Sequence, residues 1–216
     1  AFSTVSQLGM IMSMLGMGAA ALHYTGNGSN VYMAATAAAI FHLINHATFK
    51  GSLFMVVGII DHETGTRDIR KLGGLMTFMP ITFTIAAIGS FSMAGLPPFN
   101  GFLSKEMFFK STLTIANADF LSLETWGILF PVIAWVASVF TFVYCMILFF
   151  KTFTGKAKLD QLPKKPHEAP IGMLISPIVL VSLVIIWGLF PNMLAETIIE
   201  PAVAAIQPVL YAADPY

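Results

Sequence analysis

Residues 31–60 read VYMAATAAAIFHLINHATFKGSLFMVVGII, a run that is apolar for most of its length yet carries His42, Asn45, His46 and Lys50. In an α-helix, positions four apart advance about 400°. His42, His46 and Lys50 therefore fall within roughly 80° of one another on a single stripe, each about 6 Å further along the axis. A helix of this length reaches about 45 Å, more than the hydrocarbon core of about 30 Å, so it must tilt, protrude or bend, with Gly51 and Gly58 as candidate bends. Ionisable groups at membrane depth cost about 3 kcal/mol each even on lenient insertion scales, and they usually face a protein interior or a water-filled path. The default expectation for the stripe is a proton or ion relay.

The rest of the composition agrees with a membrane setting. The 216 residues are 56% hydrophobic and only 10% charged, against about 25% charged in soluble domains. Mean hydropathy is +0.79. A net charge of +0 argues against a nucleic-acid partner, which calls for a basic surface. The single cysteine, Cys145, excludes a disulfide framework and reads as a small buried hydrophobe. Histidines four apart can chelate zinc, but a third ligand would have to come from His23, His62 or a carboxylate, most of them at helix ends, so no metal is expected. No Gly-rich phosphate loop, Ser–His–Asp arrangement or HExxH motif is present, and neither an enzyme activity nor a cofactor is expected. The chain opens at Ala1 with no basic n-region ahead of its first apolar run, which suggests a piece of a longer protein rather than a signal peptide.

Outward from the central stretch, residues 5–22 form a marginal span whose Gly9, Ser13, Gly16 and Gly18 suit close helix contact in lipid. Residues 61–71 (DHETGTRDIRK) are a charged loop, and residues 75–96 a third span with Pro80 one turn in. Next comes AGLPPFNGFLS at 94–104. Pro97 and Pro98 fix two φ angles and remove two amide donors, so no regular helix runs through 96–100. Residues 97–118 read as a discontinuous span marked by Pro97, Pro98 and Gly101, with Lys105 and Glu106 near its middle. Broken helices of this type often mark ion sites in transporters. Residues 125–150 and 171–194 complete the spans, separated by a loop bearing Lys151, Lys156, Lys158, Lys164 and Lys165. The expected fold is an all-α polytopic transmembrane helix bundle of about six spans over 1–196, followed by an interfacial or tail segment over 197–216. Counting basic residues alone slightly favours five crossings, which would put both basic loops on one side.

Three runs carry a resemblance: FSTVSQLGM at 2–10, FHLINHATFKGSLFMVVGII at 41–60 and MAGLPPFNGFLSKE at 93–106. Together they resemble the antiporter-like membrane subunits shared by respiratory complex I and the multisubunit Mrp-type Na⁺/H⁺ antiporters. DHETGTRDIRKLGGL at 61–75 is most similar to the A-type branch of the Mrp group. The resemblance implies inverted five-helix repeats, each with a discontinuous helix, and a proton path of polar residues along the bilayer midplane. His42, His46, Lys50 and Lys105 match family positions on that path, and Glu106 would tune Lys105 or pass its proton outward. It further implies a full crossing at the Pro-Pro stretch, hence six crossings with one basic loop on the far side. An earlier repeat with its own Glu–Lys pair is expected upstream, so this chain alone should not transport ions. The implied setting is a prokaryotic plasma membrane, with other hydrophobic Mrp subunits as partners and Na⁺ and protons as cargo. The alternatives are a proton-pumping subunit of complex I and a structural membrane subunit that does not transport.

Overall fold

A computed structural model describes residues 2–24, 28–116 and 127–206, and among them there are helices and no strands. Helix α1 is Phe2–Tyr24, α2 Gly28–Thr64, α3 Pro80–Ala94, α4 Asn100–Ala116, α5 Leu129–Phe153 and α6 Ile171–Leu189. Three of these are long and apolar enough by themselves to cross a membrane, over Asn30–Thr64, Leu129–Phe153 and Ile171–Leu189. Helix α2 runs without a break through Gly51 and Gly58. Its excess length is therefore not taken up by an interruption at either glycine.

Helices α1 and α2 pack antiparallel. Gly18 makes that approach possible, since a Cβ there would lie 2.9 Å from the Ala35 Cβ. In lipid, where apolar surface gains little by leaving the solvent, close backbone approach of this type supplies the packing energy. Gly9 and Gly16 do not share the role, for a Cβ on either would meet open space. Near the loop end of the bundle, Ile59, Leu75, Met79, Phe149 and Phe153 form one buried cluster.

The two charged loops lie together. Lys158 Nζ donates to the Arg70 carbonyl at 2.7 Å, Lys164 Nζ to the His62 carbonyl at 3.1 Å, and the Gly74 amide to the Thr154 carbonyl at 3.1 Å. Glu63, only 3% exposed, is flanked by His62 Nδ1 at 2.9 Å and His167 Nε2 at 3.1 Å. Within the 61–71 loop, Arg70 bonds the Asp68 carboxylate and holds its pKa down at about 2.

Loops that touch must sit on one face, so the chain between them crosses an even number of times. The expectation that one basic loop lies on the far side is therefore corrected. Helix α3 has 15 residues and α4 has 17, about 22 and 25 Å, and neither alone matches a core of about 30 Å. They are the two halves of one interrupted crossing, and α5 is the return. The discontinuous span is thus present, but it includes α3 as well as the Pro-Pro stretch. Both basic loops on one side is also the arrangement that the positive-inside rule favours.

A third contact between loop and helix organises α3. Its N-terminal amides have no capping side chain of their own, and Glu168 supplies one from the far loop. Its carboxylate accepts from the Ile81 amide at 2.7 Å, the Thr82 amide at 3.3 Å and the Thr82 hydroxyl at 2.6 Å. A carboxylate there also complements the positive end of the helix dipole. Glu168→Ala should cost about 1–2 kcal/mol and lower the temperature at which the solubilised protein loses its helical circular dichroism. An unchanged melting curve would show that the cap contributes nothing.

After α6 and the non-helical Phe190 the chain is helical again, through α7 (Pro191–Leu194), a π-helical turn (Ala195–Ile199) and α8 (Glu200–Ile206). The expected division at 196/197 has no counterpart here. Leu194, Ile199 and Val203 are buried against Met33 and Phe41 of α2, so this segment packs on the bundle. Residues 207–216 of that expected tail lie outside the described residues, as do 117–118 of the fourth expected span and 125–126 of the fifth.

Candidate functional site: a buried polar row at the helix break

The break begins where α3 ends. Gly95 adopts φ +83, and the amides of Gly95 and Leu96 turn back to the carbonyls of Ser92 and Phe91. This is the glycine-terminated helix end in which the last turn satisfies its own carbonyls. The Ala94 carbonyl is left over, and Lys105 Nζ donates to it at 2.9 Å. Lys105 is 8% exposed, and its ammonium sits at the negative end of the α3 dipole. A Cβ on Gly95 would lie 2.6 Å from Lys105 Cδ, so glycine is required both for the backbone turn and for the lysine stem to pass.

Between Leu96 and Asn100 the chain includes the Pro97–Pro98 pair, joined by a cis peptide bond. Helix α4 then starts inside a ladder of fully buried side chains. Asn100 Nδ2 donates to Asn45 Oδ1 at 2.9 Å, Asn45 Nδ2 to the Asn100 carbonyl at 3.2 Å, and Ser92 Oγ to Asn100 Oδ1 at 2.7 Å. The Gly101 amide donates to Ser92 Oγ at 3.2 Å, so an otherwise orphaned first-turn donor is satisfied by α3. Gly101 and Gly188 permit this crowding, since a Cβ on the first would strike the Ser92 carbonyl and on the second the Pro98 carbonyl. The non-helical backbone is thus enclosed by α2, α3 and α6, the condition under which such backbone is stable at membrane depth.

The ionisable stripe of α2 meets this break. His42 is 1% exposed, its Nε2 lying 2.9 Å from Gln7 Oε1 of α1 and its Nδ1 3.0 Å from Ser104 Oγ of α4. The rings of His42 and His46 are stacked, with centroids 6.4 Å apart. His46 is buried, and its Nε2 has no hydrogen-bond partner among the described residues. Lys50 is half-buried, donates to Ser3 Oγ, and lies 5.2 Å from the centre of the Phe54 ring. A cavity of about 610 Å³ between α1, α4 and α5 has Gln7, Ser13, Lys105, Thr112, Ser138 and Thr141 among its lining residues.

The structure therefore brings His42, His46, Lys50 and Lys105 together and leaves Glu106 out. Glu106 is exposed, about 100° around α4 from Lys105, the separation that adjacent residues on a helix must have. Gln7, Asn45, Ser92, Asn100 and Ser104 are constituents that the sequence did not mark as a site. Their partners on other helices are 8 to 62 residues away, and the only visible signal was a polar side chain inside an apolar helix. Among the described residues, no group of three or more His, Cys, Asp or Glu side chains is arranged to hold a metal ion.

Residues 1–131 match the family described as NADH:quinone oxidoreductase/Mrp antiporter, TM. The chain belongs to that family. It is 66% identical over 210 residues to the A subunit of the Na(+)/H(+) antiporter of Bacillus subtilis (strain 168), a match that takes in 97% of this chain and 26% of the relative. The chain thus spans about a quarter of the length of the curated relatives it matches. Among solved structures it is similar to a chain of the Mrp complex from Dietzia sp. DQ12-45-1b, with a TM-score of 0.62 and 29% identity, covering 99% of this chain and 22% of that one. The fold also resembles that of a chain in respiratory complex I from Thermus thermophilus, with a TM-score of 0.57 and 21% identity, covering 88% of this chain and 44% of that one. Both likenesses fit a membrane helix bundle.

Proposed function

We propose that the chain is part of the A subunit of an Mrp-type Na⁺/H⁺ antiporter in the plasma membrane of a prokaryote, and that it carries a proton half-channel through His42, His46, Lys50 and Lys105. It is a transporter segment, not an enzyme, and its partners are the other hydrophobic subunits of the complex. The observation that supports this best is the meeting of three ionisable α2 side chains with a lysine anchored at a helix break. A row that only held helices together would have its polar atoms committed to partners. His46 Nε2 has none among the described residues, and an imidazole can take up or release a proton at a ring nitrogen left open in this way. The 66% identity to an Na(+)/H(+) antiporter protein favours sodium–proton antiport over the redox-driven pumping of complex I, whose likeness here is one of fold.

The test is Lys50→Ala in the complete complex, assayed as Na⁺-driven dissipation of a proton gradient in everted vesicles. The expected result is a fall of at least about a hundredfold, in the range that removal of a proton-transfer group usually produces. Antiport at the wild-type rate would sink the assignment of the row as a proton path.

A further inference from the structure

His42 poses a problem that a proton path has to solve. Both of its ring nitrogens are buried, and a buried nitrogen without a partner in either protonation state would bias the ring against that state. Gln7 Oε1 can only accept, so Nε2 carries a hydrogen whenever the 2.9 Å bond is made. Proton exchange must therefore take place at Nδ1, which faces Ser104 Oγ at 3.0 Å. That same oxygen lies 3.2 Å from the Gly101 carbonyl one turn back on α4. Serine bonds back to its own helix in many proteins, but here the nearer of its two partners is an imidazole on another helix.

We infer that Ser104 is a positioning residue for His42, its hydroxyl turning between His42 Nδ1 and the Gly101 carbonyl so that both protonation states of the ring are fully bonded. In the neutral ring, Nε2–H donates to Gln7 and Ser104 O–H donates to Nδ1. When a proton arrives at Nδ1, the hydroxyl rotates, Nδ1–H donates to Ser104 Oγ, and Ser104 O–H donates to the Gly101 carbonyl. The covalent O–H bond stays intact; the hydroxyl exchanges its hydrogen bond to Nδ1 for one to the Gly101 carbonyl. The single proton gained comes from the neighbouring ionisable groups and returns to them. The titratable groups facing His42 are His46 on its own helix and Lys105 on α4. Helix α1 presents the uncharged Gln7, and α6 carries no ionisable side chain. A carbonyl oxygen has two lone pairs, so Gly101 can take this bond alongside its intrahelical one.

This role rests on the proton path proposed above, and the experiment separates the two. Ser104→Ala, Ser104→Cys and His42→Ala are introduced into the complete complex. Assembly is read by co-purification of the other subunits, and antiport in everted vesicles is measured across pH. Assembled Ser104→Ala is expected to lose at least about tenfold in maximal rate, with its half-maximal pH displaced by about half a unit or more. Ser104→Cys, of nearly the same shape but with a weakly bonding thiol, should fall between alanine and wild type. A wild-type rate and pH profile from either assembled variant overturns the role of Ser104. A uniformly lower rate with an unmoved profile overturns it too, because a purely structural hydroxyl would do that. Full antiport in His42→Ala overturns the path itself, whereas loss in His42→Ala beside normal Ser104→Ala removes only the serine.

Discussion

Lys105→Arg should leave the complex assembled while lowering antiport at least about a hundredfold, and Lys105→Ala should lose antiport and destabilise the protein as well. The two substitutions divide the two things Lys105 does. Its Nζ lies 2.9 Å from the Ala94 carbonyl, and that contact needs an N–H donor at the end of α3. An arginine keeps the charge and the donors, so the helix end stays satisfied. It does not keep the proton chemistry, because a guanidinium holds its protons throughout the physiological range while an ammonium can release one. Loss of a group that transfers protons is commonly worth a factor of about 10² to 10⁴, about 3 kcal/mol or more of barrier. Co-purification and vesicle antiport measured on the same preparations decide the matter. If Lys105→Arg transports at the wild-type rate, Lys105 is a fixed charge that caps a helix, and the proton path must pass elsewhere.

Local signals in the sequence and the long-range geometry contributed differently to this site. The stripe of His42, His46 and Lys50 was legible because it follows from helical periodicity, and α2 is an unbroken helix. The break was legible because two prolines forbid a helix whatever surrounds them. What encloses the break was not, since Asn45 meets Asn100 across 55 positions and Gln7 meets His42 across 35. No local pattern marks a side chain whose partner is that remote. Glu106 was drawn into the expected site by adjacency to Lys105, which on a helix is a reason for it to face elsewhere. The side on which each loop lies shows a conflict between two signals. Basic-residue counting put both loops together, the family resemblance put them apart, and the contacts of Lys158 and Lys164 place them together.

Gly101→Ala should prevent assembly of the complex, although it adds a single methyl group to a residue in a helix. Ordinarily that exchange is favourable by about 0.5–1 kcal/mol, because alanine has less backbone freedom to lose. At Gly101 the new carbon would be driven into the Ser92 carbonyl, a backbone group that cannot rotate aside. Moving Ser92 would in turn pull its hydroxyl from Asn100 Oδ1 and from the Gly101 amide, and the Asn100–Asn45 pair would lose its register. Overpacking together with two or three unsatisfied buried polar groups amounts to about 4 kcal/mol or more, a large part of the stability of an ordinary domain. Gly58→Ala is the matched control. It also lies within a long helix, but nothing stands within 4 Å of its added Cβ, and it should assemble as well as the wild type. Equal yields of the two variants would mean that α4 does not approach the end of α3 this closely. Ser104 and Lys105 would then have no fixed position opposite His42, because the seating of Gly101 against Ser92 sets where α4 begins.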